Sequence, residues 1–257
     1  MERDSAERWD RAAADCQRVF RQGQNEYNGR LFSFWEREGM LRPGYRVLDI
    51  GCGVGKYAVL FAERGCDVTL VDISPEMLRQ AEKNLSAALT PWRTFCCDFT
   101  QVSAGEAVFA GGFDFSISTM SPAVRDAETV AKMSGMTRGF CFLSRFSAWS
   151  QPLRDELLRR LGEMPRGMFR DPLADVEQLI DAVREARYRP RVEYTDYCWC
   201  DRRTAEEMAD YLNRHYLEGC GDPDRIVSAA RELCTDGMLE DAVDTKVAWI
   251  YWNARES

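Results

Sequence analysis

The sequence predicts an α/β fold built on a seven-stranded, mostly parallel sheet. Three observations carry this prediction. Short apolar runs alternate with helical patterns of roughly 10–15 residues between positions 45 and 144, the rhythm of βαβ units with right-handed crossovers. The first run, YRVLDI, is apolar almost throughout, as a strand buried on both faces must be. A glycine-rich turn, GCGVG, follows it, where an open α/β sheet receives ligands.

Each element can be justified in order. Trp9, Ala12, Cys16 and Val19 recur at helical spacing, as do Tyr27, Leu31, Phe34 and Trp35. Arg42, Pro43 and Gly44 end the second of these helices. Strand one covers 45–50, and 56–65 is a helix closed by Gly65. Strand two covers 67–72. The next helix, 74–85, starts with Ser74 as N-cap and Pro75 at its first position, with Met77, Ala81 and Leu85 on its inner face. Strand three is 93–99, strand four 113–119, and 121–133 is a helix before strand five at 139–144.

After Ser144 the rhythm changes. Leu153, Leu157 and Leu161 align on a helix over 152–161, and Asp171 with Pro172 starts another over 171–186. Strand six is 191–200. Helices follow at 204–216, with a Thr204–Glu207 capping box, and at 222–234, before strand seven at 245–254. The organisation expected is a single domain over 1–257. Residues 1–41 form an N-terminal helical cover, 42–200 the core, 201–240 a helical insertion between strands six and seven, and 241–257 the final strand.

Bulk properties narrow the function. A chain of 257 residues with 45% hydrophobic and 30% charged residues is an ordinary soluble globular composition with enough length for a large core. A net charge of −8 weighs against nucleic acid as a partner. The N-terminal stretch is too polar for a secretory signal, and no apolar run approaches a membrane span. A cytoplasmic location with no membrane partner is therefore expected. The ten cysteines are then expected as reduced thiols, and a single histidine, His215, excludes a His-rich metal site.

The glycine loop carries the chemistry. Its pattern is D-x-G-x-G-x-G, made by Asp49, Gly51, Gly53 and Gly55. A dinucleotide fingerprint beginning at Gly51 needs glycine at position 56, where Lys56 stands, and the phosphate-loop pattern fails as well. The stretch from Arg46 to Ser144 resembles the class I S-adenosylmethionine-dependent methyltransferases, with this loop as their first motif. The resemblance implies a Rossmann-like sheet of order 3-2-1-4-5-7-6 with strand seven antiparallel, and S-adenosylmethionine as cofactor. It implies that the loop, with Asp49, Gly51, Cys52, Gly53 and Gly55, backs onto the methionine and adenosine portions. Asp72 would take both ribose hydroxyls, which a carboxylate can accept together. Ile73 and Met77 would flank the adenine, and Asp98 would meet its amino group with Phe99 alongside. On the residues alone, the glycines also serve to pack a helix on a strand, Asp72 to cap a helix, and Asp98 to shape a surface turn.

The end of strand four reads STMSPAV, residues 118–124, without the Asn/Asp-Pro-Pro-aromatic tetrad of methyltransferases that act on planar nitrogens. The resemblance puts Ser118, Thr119, Met120 and Ser121 near the sulfonium and amino-acid part; Ser121 equally reads as the cap of the next helix. No catalytic residue is evident, because an activated methyl donor needs mainly positioning and desolvation, and a base is optional. His215 shares a helical face with Ala205, Met208 and Leu212, so a satisfied, partly buried histidine is expected. Cys96, Cys97, Cys198 and Cys200 are expected as small hydrophobic packing, not as ligands of a soft metal. Packing is also the expected role of Trp9, Tyr27, Trp35 and the aromatics of 194–199, with an acceptor pocket as the other reading. The function expected is methyl transfer from S-adenosylmethionine to a small-molecule acceptor. The alternatives are a protein or RNA methyltransferase, a non-catalytic S-adenosylmethionine-binding module, and a nicotinamide oxidoreductase, against which Lys56 argues.

Overall fold

The computed structural model describes residues 5–21, 26–102, 109, 112–164, 171–217, 219 and 221–256. Among them the helices are α1 (Ala6–Arg21), α2 (Glu26–Arg37), α3 (Lys56–Glu63), α4 (Pro75–Leu85), α5 (Ala127–Gly135), α6 (Pro152–Arg160), α7 (Pro172–Glu185), α8 (Ala205–His215) and α9 (Pro223–Arg231). The strands are β1 (Arg46–Ile50), β2 (Asp67–Asp72), β3 (Trp92–Cys96), β4 (Phe113–Thr119), β5 (Thr137–Ser150), β6 (Arg191–Arg203) and β7 (Leu239–Asn253). They form one sheet in the order β3-β2-β1-β4-β5-β7-β6. β1 through β5 pair in parallel and β7 runs antiparallel, as the motif resemblance implies. No described helix is long and apolar enough to cross a membrane.

The strands on the far side of the sheet are longer than the sequence predicts. β5 starts at Thr137 and continues to Ser150, β6 to Arg203, and β7 starts six residues earlier, at Leu239. In β7 the early part alternates, with Leu239, Asp241, Val243, Thr245 and Val247 buried and the residues between them exposed. Half of that segment is polar, so an apolar-run criterion misses it. The helix expected over 121–133 starts later. Asp126 caps α5, accepting from Thr129 N at 2.9 Å in a capping box, and residues 121–126 form a turn instead. Ser121 is therefore not a helix cap; its Oγ accepts from Ala123 N at 3.3 Å.

The chain divides into two compact units, Met1–Arg145 with Glu177–Glu193 and Ala248–Ser257, and Phe146–Val176 with Tyr194–Val247. The core of the first is aromatic. Trp35 is fully buried, stacks on Phe61 at 5.4 Å and meets Phe115 and Phe142 edge-on at 5.2 and 5.0 Å. These geometries are worth about 0.5–1.5 kcal/mol per pair beyond the area buried. Tyr27 OH accepts from Trp249 Nε1 at 3.0 Å. Both tryptophan and tyrosine are thus core, in line with the packing reading.

The second unit has a smaller core of Leu157, Leu158, Met208, Leu212, Ile226 and Leu239. Beside it lies a buried polar network. The Gln151 amide donates to both oxygens of Asp241 at 3.0 and 2.8 Å, Arg203 Nε donates to Asp241 at 3.3 Å, and Tyr211 OH donates to Gln151 at 3.3 Å. Each buried polar group here has a partner, which is the condition for leaving charge inside a fold. His215 is exposed at the end of α8, its ring 5.0 Å from Tyr211, and not partly buried as expected. Helical spacing places it on the α8 face but not the depth of that face at the last turn. Cys96, Cys198 and Cys200 are exposed too, and only Cys97 of that group is half-buried, so these thiols do not pack a core.

Candidate cofactor site

The site forms where β1, β2 and β4 end. Gly51, Gly53 and Gly55 all adopt left-handed backbone, with φ of 69°, 54° and 76°, conformations that a side chain disfavours. Gly51 N and Cys52 N both donate to Val71 O, at 2.7 and 3.1 Å, so the loop continues the β1–β2 pairing before it turns into α3. Gly51 also lies directly against Ser121: a Cβ at Gly51 would sit 1.8 Å from Ser121 Oγ. Ser121 reaches that place because Met120, at the end of β4, takes a left-handed φ of 51° while its N–H donates to Ser144 O at 3.0 Å. A non-glycine residue in this region costs about 1–2 kcal/mol, and such strain gathers at functional sites.

Asp72 ends β2 and ties the loop down. Its Oδ2 accepts from Gly53 N at 2.8 Å and its Oδ1 from Ser74 N at 2.9 Å. Burial pushes its carboxyl above the ordinary value, and the three backbone N–H groups of Ser74, Gly53 and Ile73 act against that rise. Each oxygen retains capacity for a further donor. Ser74 caps α4, as predicted, accepting from Met77 N at 3.0 Å.

Asp49 is 1% exposed, and its Oδ2 has no hydrogen-bond partner. Desolvation, reinforced by the Asp72 charge, raises its carboxyl to about 8. The Oγ atoms of Ser118, near the end of β4, and of Ser144, which pairs with Thr119 from within β5, are likewise buried without partners. Buried polar atoms are nearly always satisfied, and these three lie toward the ends of β1 and β4, where an open α/β sheet receives ligands. Thr119 is 8% exposed at the same end of β4.

Two expected contacts are covered by protein, and a third is engaged in a turn. Met77 is 2% exposed, packed with Val54 under Trp9, Ala12, Ala13 and Cys16 of α1. Phe99 is 2% exposed, with Lys132 Nζ 5.9 Å above its ring. Asp98 caps a short turn, its Oδ1 accepting from Thr100 N and Oγ1 at 2.9 and 2.8 Å, the surface-turn geometry that the residues alone allow. Ile73 is half-buried between the site and Cys96.

Several residues that the sequence reading passed over hold this arrangement. Asp10 of α1 accepts from Ser74 Oγ at 2.5 Å and from Glu76 N at 3.1 Å. Gln17 and Asn84 exchange reciprocal amide hydrogen bonds at 2.8 and 2.9 Å, and Asn84 also donates to Val54 O at 2.8 Å. α1 is thus latched over the loop. Arg145 donates to Ser144 O and Val124 O, both at 2.8 Å, and to Ser121 O, fixing the turn after β4. Apart from the Arg145–Ser144 bond, these contacts join residues more than 20 positions apart, and no local pattern announces them.

Residues 47–138 match a family model described as a methyltransferase domain. A Methanocaldococcus jannaschii protein, provisionally named a ribosomal RNA large subunit methyltransferase, is 31% identical over 126 residues, 48% of this chain and 31% of its own length. The chain thus spans about a third of the length of that curated relative. Among solved structures, a provisional methyltransferase from Bacillus halodurans superposes with a TM-score of 0.52 at 13% identity, over 86% of this chain and 97% of that one. A precorrin-8w decarboxylase from Methanobacterium thermoautotrophicum gives 0.51 at 13% identity, over 90% and 91%. At such identities the structural likeness speaks to the fold alone. The sheet order and the methyltransferase-domain match over residues 47–138 agree with the class I methyltransferase fold that the loop motif implies.

Proposed function

We propose that this protein transfers a methyl group from S-adenosylmethionine to a small-molecule acceptor. The observation that carries the proposal is the Asp72 carboxylate, held between Gly53 N–H and Ser74 N–H at the end of β2 with hydrogen-bonding capacity in reserve, beside the orphaned Asp49. Asp72 would hold the ribose hydroxyls, and the loop from Gly51 to Gly55 would lie against the nucleoside and its amino-acid end. When bound, S-adenosylmethionine supplies a methyl group on a sulfonium, open to in-line displacement by a nucleophile. The chain's part is to position and to exclude water: α1 covers the loop, and Arg145 locks the turn bearing Ser121. The net charge of −8 favours a small or cationic acceptor over a polyanion.

Titration with S-adenosylhomocysteine and with NAD tests the cofactor. Binding of the first and not the second is expected, and the reverse overturns the proposal. Asp72→Ala should weaken S-adenosylhomocysteine binding by roughly 1–3 kcal/mol, and unchanged affinity would remove Asp72 from the site. Transfer of labelled methyl to a panel of thiols, amines and carboxylates, run beside ribosomal RNA and bulk protein, tests the acceptor class. Label entering only RNA would favour the role for which the Methanocaldococcus relative is named.

A further inference from the structure

A cavity of about 200 Å³ opens on the first unit, away from the candidate cofactor site. Phe140 of β5, one of its walls, pairs with Phe115, whereas Ser144 of the same strand pairs with Thr119 at the far end of β4. The floor is two buried rings of β7, Tyr251 and Trp252. Both are pinned: Tyr251 OH donates to Glu193 at 3.3 Å, and Trp252 Nε1 donates to Ser134 Oγ at 2.9 Å. The mouth is cationic. Arg189 and Arg191 both line it, both are exposed, and neither side chain makes an ion pair or hydrogen bond among the described residues. The carboxylate in the lining, Glu256, accepts from Asn253 Nδ2 at 3.0 Å and pairs with neither arginine.

The chain that carries the two arginines is stiff. α7 ends with Arg187 in left-handed backbone, at a φ of 69°, as Arg187 N donates to Arg184 O at 2.9 Å and Tyr188 N to Val183 O at 3.0 Å, a closure that glycine usually makes. Pro190 then fixes its own φ and holds Arg189 extended. Arg191 opens β6. Alternate residues of extended backbone project to one side, so both guanidinium groups stand at the same mouth with little main-chain freedom left to lose. A ligand that fits needs an anion for the guanidinium forks and a flat apolar body for the rings. The volume, that of roughly seven waters, admits one small ring with its substituent. Glu193 and Glu256 stand beside the floor and mouth, and they repel a singly charged carboxylate less than a phosphate dianion. We propose that this cavity is a second ligand site, for a small aromatic carboxylate held by Arg189 and Arg191 over Tyr251 and Trp252. The proposal goes beyond the methyl-transfer reading and does not rest on it.

Calorimetric titration of the full chain with benzoate, benzamide and inorganic phosphate tests the site. Benzoate should bind saturably below ~10 mM, and benzamide, its uncharged isostere, about tenfold more weakly or worse. Arg189→Met and Arg191→Met should each weaken benzoate about tenfold. Arg187→Met, on the same turn but outside the lining, should leave it unchanged. Thermal midpoints of the three variants should match the wild type, since none of these side chains packs a core. Equal binding of benzoate and benzamide would reduce the site to an apolar hollow and overturn the proposal. Phosphate as tight as benzoate, or an equal loss in Arg187→Met, would reduce it to a general positive field and overturn it too. So would the absence of saturable benzoate binding. S-adenosylhomocysteine should not compete with benzoate; competition would put benzoate at the cofactor site and leave this cavity without a ligand.

Discussion

Placing a methyl group on Gly51 should damage the protein in two separable ways. The first is backbone strain: alanine at a φ of 69° costs about 1–2 kcal/mol. The second is collision, because the new Cβ would lie 1.8 Å from Ser121 Oγ and 2.7 Å from Ser121 Cβ. Ser121 is 8% exposed, and Arg145 holds the carbonyls of Ser121 and Val124, so the turn cannot retreat cheaply. Overpacking of this kind costs about 1–3 kcal/mol, which makes Gly51→Ala worth roughly 2–5 kcal/mol in all. Gly53→Ala is the internal control. It has the strain, at a φ of 54°, but its Cβ meets only Met77 Sδ at 3.9 Å, so about 1–2 kcal/mol is expected. Urea unfolding of the two variants and of Gly51→Ala/Ser121→Gly reads the difference. The double variant should recover the collision part and keep the strain. If Gly51→Ala is no worse than Gly53→Ala, or if removing the Ser121 side chain rescues nothing, the close approach of the loop to the turn after β4 is wrong.

Two further outcomes follow from the site. Asp49 titrates near 8 when folded against an ordinary 3.8, so the folded chain holds a proton that the unfolded chain has lost; stability should fall as pH rises between about 4 and 8, by up to ~1.4 kcal/mol per pH unit. Asp49→Asn should lack that slope, and parallel unfolding curves for the two proteins from pH 5 to pH 7.5 would rule the buried carboxyl out. Asp10→Ala should loosen α1 by about 1–2 kcal/mol, through loss of its bonds to Ser74 and Glu76. Hydrogen exchange should then quicken in peptides covering α1 and not in those covering β1 and β4; a uniform change would mean that Asp10 serves the whole fold and not the latch.

The strands were legible because buried parallel strands are short apolar runs, and 45–50, 67–72 and 113–119 read as such, while their order came only from the resemblance of the glycine-loop motif. The capping of α4 was legible because Ser74 and Pro75 act within one turn. What stayed hidden is of two kinds. The long strands β5 and β7 were shortened because their far parts alternate polar and apolar, which weakens the signal. The start of α5 moved because the Asp126–Thr129 capping box satisfies the first turn better than Ser121 can.

The sequence by itself determined the α/β class, the three left-handed glycines and the carboxylate at the end of β2. All of these depend on neighbours along the chain or on the two-residue and 3.6-residue periods of strand and helix. Only the tertiary structure decided that Asp72 ties the loop to α4, that Asp49 is buried with Oδ2 unpartnered among the described residues, and that α1 latches over the loop through Asp10 and Gln17. Those facts are set by which distant groups share a buried volume, and the free energy of burying a charge depends on that company and not on its place in the chain.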